Sequence, residues 1–184
     1  MYYLLETDYF AKPGPFRTRP IKPAYGYEPS DWLRGKVMKP PSSPIQVQLW
    51  ERGGGGMAEA FLDSIPIFRE DLVQALSEAG VDNLQVFPAV LVPPRGEQVG
   101  TYRAVNILGL VKCADLEKSE YDDITGTGMI AMSFRKLVID EKAARDLPLF
   151  RLAEAVASIV VHERVKAHLD TKAFRYLSWR ALVE

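Results

Sequence analysis

The sequence predicts an α+β domain: a mixed, largely antiparallel sheet with a few short helices and a Pro-rich N-terminal arm. One stretch has helical periodicity with both ends marked. Two longer stretches read as strands, one of them apolar on both alternations. Eight of the 13 prolines fall between Pro13 and Pro44.

The proline-rich stretch also carries Tyr25, Tyr27 and Trp32. Proline fixes φ and has no backbone donor, so this segment supplies neither long helices nor central strands. Its aromatics predict an arm over residues 1–56 packed on a core domain over 57–184. Ile45 to Trp50 begins with apolar–polar alternation, as a strand does. Gly53 to Gly56 reads as a mobile connection. It lacks the Lys-Ser/Thr that a phosphate-binding loop requires.

The clearest helix spans about Arg69 to Ala79, with Leu72, Ala75, Leu76 and Ala79 on one face. Glu70 and Asp71 suit the positive end of its dipole, and Gly80 is placed for a left-handed C-terminal cap. Leu84 to Phe87 follows as a strand ended by Pro88. Tyr102 to Lys112 reads as a strand covered on both sides, which buries the Asn106 amide. A buried amide without partners costs on the order of 1–3 kcal/mol, so Asn106 requires them. Met129 to Ile139 gives a further strand or strand pair, interrupted at Arg135 and Lys136.

Two faint internal echoes suggest duplication. Phe68 to Leu72 aligns with Val161 to Val165 at an offset of 161 − 68 = 93, and the same offset pairs Leu76 with Leu169, Leu84 with Leu177, and Val86 with Trp179. Ile65 to Arg69 also resembles Leu147 to Arg151, at an offset of 147 − 65 = 82. Shared helix-then-strand patterning accounts for such matches equally well.

The 184 residues are enough for one domain that buries roughly 70% of its unfolded surface without disulfides or metals. With 23 basic against 24 acidic residues, the balance argues against a general nucleic-acid binder. Cys113 is the single cysteine, so no intramolecular disulfide exists. The N-terminus lacks the basic and apolar regions of a secretory signal, and no apolar run reaches the roughly 18 residues of a membrane span. A cytoplasmic protein with no membrane partner is the expectation; its oligomeric state is not legible.

No motif calls for a catalytic centre, a cofactor or a metal. Gly126-Thr127-Gly128-Met129-Ile130-Ala131 has the spacing of a dinucleotide fingerprint, but a strand-like run follows the glycines where that site requires a helix. His162 and His168 are six residues apart, which on a helix points them about 240° from one another. Cys113 has no neighbouring histidine. A small enzyme using Tyr102, His162 or Cys113 would need two of them to converge in a pocket, and a ligand-sensing module would need a large apolar cavity. The acidic stretch Asp115, Glu117, Glu120, Asp122 and Asp123, with Lys118 and Tyr121 among it, reads either as a solvated connection or as a partner-facing patch. In the second case the carboxylates steer a basic partner and Tyr121 anchors it.

Six runs carry a further signal by their order and spacing: Ile67 to Pro88, Tyr102 to Ile107, Ala114 to Tyr121, Lys136 to Asp140, Leu149 to Glu154 and Ile159 to Val165. Together they resemble a family of bacterial immunity proteins of polymorphic-toxin systems, the eleventh such family catalogued, with a myxobacterial prototype. The chain departs from the family pattern at His162, where a serine-like helix cap is expected, and after Leu169, where the usual glycine turn is missing. The resemblance implies a non-enzymatic inhibitor of a cognate toxin, one delivered between cells by contact-dependent or type VI secretion. It implies no catalytic residues, and it makes Tyr102, Asn106 and Ser119 residues that hold the fold.

Overall fold

A computed structural model describes residues 1–19, 27–51, 54–63 and 65–182. Tyr25 and Gly53, named above, lie outside them. In chain order the first half contains β1 (Tyr2–Thr7), β2 (Gly14–Pro15), β3 (Arg17–Thr18), a 3-10 turn (Pro29–Leu33), β4 (Ile45–Trp50), β5 (Gly54–Gly56), β6 (Ala60–Phe61), β7 (Ile67–Arg69), α1 (Glu70–Glu78) and β8 (Leu84–Val92). The second contains β9 (Val99–Ile107), β10 (Leu110–Val111), β11 (Glu120–Asp122), β12 (Ser133–Lys136), α2 (Glu141–Ala144), β13 (Leu149–Leu152), β14 (Ile159–His162), α3 (Glu163–Asp170) and β15 (Leu177–Ala181).

Two main sheets result. The six-stranded sheet runs β3-β4-β8-β9-β7-β6, and the five-stranded sheet runs β10-β13-β14-β1-β15. Only β4–β8 and β10–β13 pair in parallel within them; the other neighbours are antiparallel. The architecture is α+β and sheet-dominated, with mixed sheets and three short α-helices among the described residues.

One apolar cluster joins the inner faces of both sheets. Phe68, Val105 and Ile107 meet Leu5, Leu149, Ile159 and Val161 there, together with Leu72 and Leu76 of α1 and Val165 and Leu169 of α3. Each outer face has its own cover. Phe16, Trp32 and Met38 of the N-terminal segment pack over Ile67, Phe87, Ala89 and Ala104. Cys113, Leu137 and Ala144 pack over Tyr2, Leu4, Phe150 and Val160. β13 is buried along its whole length and β14 over its first three residues, as strands covered on both faces are.

The N-terminal segment is more than an irregular cover. β1 sits between β14 and β15, and β4 extends the six-stranded sheet beside β8. Gly54–Gly56, expected as a mobile connection, is a strand paired in parallel with β2. The reason is close approach: a Cβ on Gly54 would lie 2.0 Å from the Gly14 carbonyl oxygen, and one on Gly56 would lie 2.1 Å from the Tyr176 hydroxyl.

Helix α1 ends as its sequence requires. Gly80 has φ +87°, the Val81 amide donates to the Leu76 carbonyl, and the Gly80 amide donates to that of Ser77, forming a Schellman cap. Three expected strands change. β8 continues through Pro88 to Val92; Pro88 is exposed and lies just before the stretch paired with β4. The run from Tyr102 breaks after Ile107, because Gly109 at φ +87° redirects the chain into the other sheet as β10. Of Met129 to Ile139, only Ser133–Lys136 is a strand, and Ile130 has φ +74°, incompatible with extended backbone.

The 93-residue echo is structural. β7-α1-β8 and β14-α3-β15 are both strand-helix-strand units whose flanking strands enclose one antiparallel strand, β9 in the first and β1 in the second. Helix starts differ by 163 − 70 = 93 and strand starts by 177 − 84 = 93. Register is kept as well: Arg69↔Tyr102 and Leu84↔Ile107 correspond to His162↔Tyr2 and Leu177↔Thr7. The 82-residue echo has no such basis, since Ile67 lies on β7 while Leu149 lies on β13, a strand outside the second unit.

Candidate functional site

The acidic stretch lies in the cover over the five-stranded sheet. Its base is fastened. The Asp115 amide donates to the Val138 carbonyl, and the Ser119 hydroxyl accepts from the Val138 amide at 2.9 Å. From there β11 and β12 form a separate two-stranded hairpin, in which Tyr121 and Phe134 face each other with ring centroids 6.0 Å apart.

Several of the carboxylates have local work. Asp115 pairs with Lys118 at 2.8 Å, and this contact lowers the Asp115 pKa. Asp122 pairs with Arg135 at 3.1 Å. Asp123 accepts the amides of Thr125 (3.2 Å), Gly126 (2.9 Å) and Gly128 (2.6 Å), and its pKa is lowered, chiefly by the Gly128 amide. Glu117 and Glu120 are exposed and form no ion pair among the described residues. The structure therefore places Asp115, Glu117, Glu120, Tyr121, Asp122 and Asp123 on one surface element, with the two glutamates available to an outside cation.

The histidine, tyrosine and cysteine candidates do not form one centre. Tyr102 is buried over the six-stranded sheet, where its hydroxyl donates to the Ala58 carbonyl at 2.9 Å and burial raises its pKa. Cys113 is buried under the other cover, and burial pushes its thiol up to about 12. A thiol held protonated at neutral pH is a poor nucleophile. His162 caps α3: its Nδ1 accepts the Arg164 amide at 3.2 Å, and burial lowers its pKa. The imidazole thus performs the capping task expected of a serine. His168 instead contacts Glu78 of α1. A cavity of about 340 Å³ beside the acidic stretch is lined by residues including Tyr2, Lys118, Val138, Ile139, Glu141 and Leu182, and none of these four candidates lines it. The Gly126–Gly128 motif forms a loop around Asp123, not a helix start.

Residues singled out by the resemblance brace the fold. Asn106 is fully buried, and its Nδ2 donates to the Lys36 carbonyl (2.8 Å) and to Gln85 Oε1 (3.0 Å). Gln85 in turn bonds the Met38 amide and carbonyl, so two cross-strand amides hold the cover in place. Sequence reasoning missed three buried charges. Glu59 accepts the Arg175 and Tyr176 amides and faces Arg69 at 3.3 Å. Glu154 accepts the Ala114 amide. Arg151 donates to the Val156 carbonyl at 2.7 Å, with burial lowering its pKa to about 10. Nothing in their local sequence marks them, because each is neutralised or bonded by a segment distant in the chain or by backbone.

The family model of the Immunity protein family (Imm11) matches residues 55–184. The chain belongs to that family. Members carry immunity against toxins, and the matched region takes in both strand-helix-strand units and the acidic hairpin while leaving out β1 and β4. A search of curated proteins returns no match. Among the described residues, no helix is long and apolar enough to cross a membrane, and no three His, Cys, Asp or Glu side chains converge as metal ligands would.

Proposed function

We propose that this immunity protein binds a cognate antibacterial toxin stoichiometrically and neutralises it in the cytoplasm of the cell that makes it. The toxin belongs to a polymorphic system and reaches neighbouring cells by contact-dependent or type VI secretion. Membership of the immunity family over residues 55–184 carries this reading. It is supported by what the candidate catalytic groups do instead: Tyr102 and His162 complete hydrogen bonds of the scaffold, and Cys113 is buried as a neutral thiol. Inhibition then acts through the outer surface, with no turnover.

The acidic hairpin is the proposed contact region, with Asp115, Glu117, Glu120, Tyr121, Asp122 and Asp123 on one surface segment of the cover. Lasting protection requires a dissociation constant around 1 nM or tighter, about −12 kcal/mol. A standard interface of about 800 Å² per partner accommodates that affinity. Titration calorimetry of the protein against the purified product of the neighbouring toxin gene is the test. A one-to-one complex of nanomolar affinity that abolishes toxin activity is expected. Undetectable binding at micromolar concentrations, or protection that persists without a complex, overturns the reading.

A further inference from the structure

The hairpin presents something besides charge. Its connecting loop exposes Ile124 at 85% and Ile130 at 60%, and Tyr121 on β11 is exposed at 37%. Exposed large aliphatic side chains on a loop are most informative when the loop is ordered, and this one is held at both ends. Asp123 gathers three amides at the leading end. At the trailing end the Ile130 amide donates to the Ala153 carbonyl (2.9 Å), the Val156 amide donates to that of Ile130 (3.0 Å), and the Met132 amide donates to that of Glu154 (2.9 Å). Ile130 is also fixed at φ +74°, a region β-branched residues rarely occupy. The fold thus holds two isoleucines in water on a shaped support.

We infer that residues 123–130 form the anchor of the toxin interface, with Ile124 and Ile130 entering an apolar cleft on the toxin whose rim is basic. This rests on the toxin-binding reading above and reverses the weight within it. Across the hairpin and its base, Asp115 to Lys136, five carboxylates stand against Lys118, Arg135 and Lys136, a negative balance that sets the sign of the complementary rim. Asp115, Asp122 and Asp123 are engaged locally, however, leaving Glu117 and Glu120 to steer. Affinity then comes from the desolvated aliphatic centre and association rate from the glutamates, the usual division between an interface core and its charged rim. A preorganised loop adds to this because little ordering remains to be done on binding.

The test uses the full chain and a catalytically inactive form of the neighbouring toxin gene's product, with binding followed by surface-based kinetics. Ile124→Asp/Ile130→Asp is expected to weaken the complex about 100-fold or more, as loss of two central anchors does. Glu117→Gln/Glu120→Gln is expected to slow association by about tenfold at low salt, an effect that fades at about 0.5 M salt. Ile124→Ser/Ile130→Ser, which adds no charge, guards against simple repulsion, and circular dichroism confirms that each variant is folded. If wild type binds and both isoleucine variants bind as tightly, the anchor is overturned while toxin binding stands. If wild type does not bind, the underlying reading falls and the anchor with it. If wild type self-associates in sedimentation and the isoleucine variants do not, the loop serves a second copy of this chain, and the proposal is likewise overturned.

Discussion

The two strand-helix-strand units solve one folding problem with different parts. In the first, the enclosed strand β9 follows β8 directly along the chain. In the second, that place is taken by β1, whose register with β14 and β15 reproduces that of β9 with β7 and β8. Tyr102 corresponds to Tyr2 and Ala104 to Leu4, an offset of 102 − 2 = 100. Matched residues also occupy matched surroundings. Val105 and Leu5 face the shared inner cluster, while Ala104 and Leu4 face the two separate covers. A strand's place is therefore set by its register and its two faces, and its position in the chain is secondary. The family match begins after β1, yet the second unit is closed only by residues outside the matched region.

If this equivalence is physical, breaking the enclosed strand should be equally damaging in either unit. Leu4→Pro and Ala104→Pro each remove a ladder donor from a strand paired on both sides, where proline is essentially never found. Both variants are expected to lose cooperative unfolding altogether, as seen by far-ultraviolet circular dichroism during urea titration. A Leu4→Pro protein that unfolds like wild type would show that β1 is an accessory to the second unit and not part of it.

The next test concerns the layer that joins the units. Leu76 of α1 and Leu169 of α3 are related by 169 − 76 = 93 and meet in one buried cluster. Truncating a buried leucine to alanine costs about 2–5 kcal/mol. Leu76→Ala and Leu169→Ala should each fall in that range, and their combination should depart from additivity because the sites share neighbours. Strict additivity by chemical denaturation would mean that the units are energetically independent.

Tyr102 and Tyr2 differ by one hydrogen bond. The Tyr102 hydroxyl donates to Ala58, whereas the Tyr2 hydroxyl is buried with no partner among the described residues. Tyr102→Phe strands a buried carbonyl and is expected to cost about 1–3 kcal/mol. Tyr2→Phe removes a polar group that is not repaid, so it should be neutral or slightly stabilising. Equal losses in thermal unfolding would contradict this assignment of partners.

These contrasts show what was legible in the chain. Helix α1 was readable because its determinants are local: acidic first-turn residues, a buried stripe at Leu72, Ala75 and Leu76, and Gly80 at the cap. Its echo in α3 was visible for the same reason. β1 was not, because Tyr2-Tyr3-Leu4-Leu5 lacks alternation and its partners lie more than 150 residues away. Gly54–Gly56 has the composition of a linker, and only the approach of Gly14 and Tyr176 explains the glycines. The strand after Val99 broke at Gly109, a single positive-φ residue in an apolar run. At the candidate site the charge was plain in the sequence, but charge does not reveal that Asp115, Asp122 and Asp123 are answered locally. Nor could composition show that Ile124 and Ile130 stay in water.

The smallest expected effect separates the two helix starts. Both caps have the same extended backbone, with φ −68° and ψ 147° at Arg69, and φ −70° and ψ 148° at His162. Only His162 offers a side-chain acceptor, and it can do so only as a neutral imidazole. Burial lowers its pKa in the fold, helped by the chain-terminal ammonium and Arg164, while Glu163 and Asp146 act in the opposite sense. The folded value thus lies below the unfolded one, and protonation favours the unfolded chain. The cap's contribution is complete above the unfolded pKa of about 6.5 and disappears as pH falls through the folded value. His162→Ser supplies a cap that does not titrate, so its stability relative to wild type should rise on acidification from pH 8 to 5. The cap as a whole is worth about 1 kcal/mol, which bounds the change. A His162→Ser difference that stays flat across this range would show that the imidazole does not cap α3 in solution.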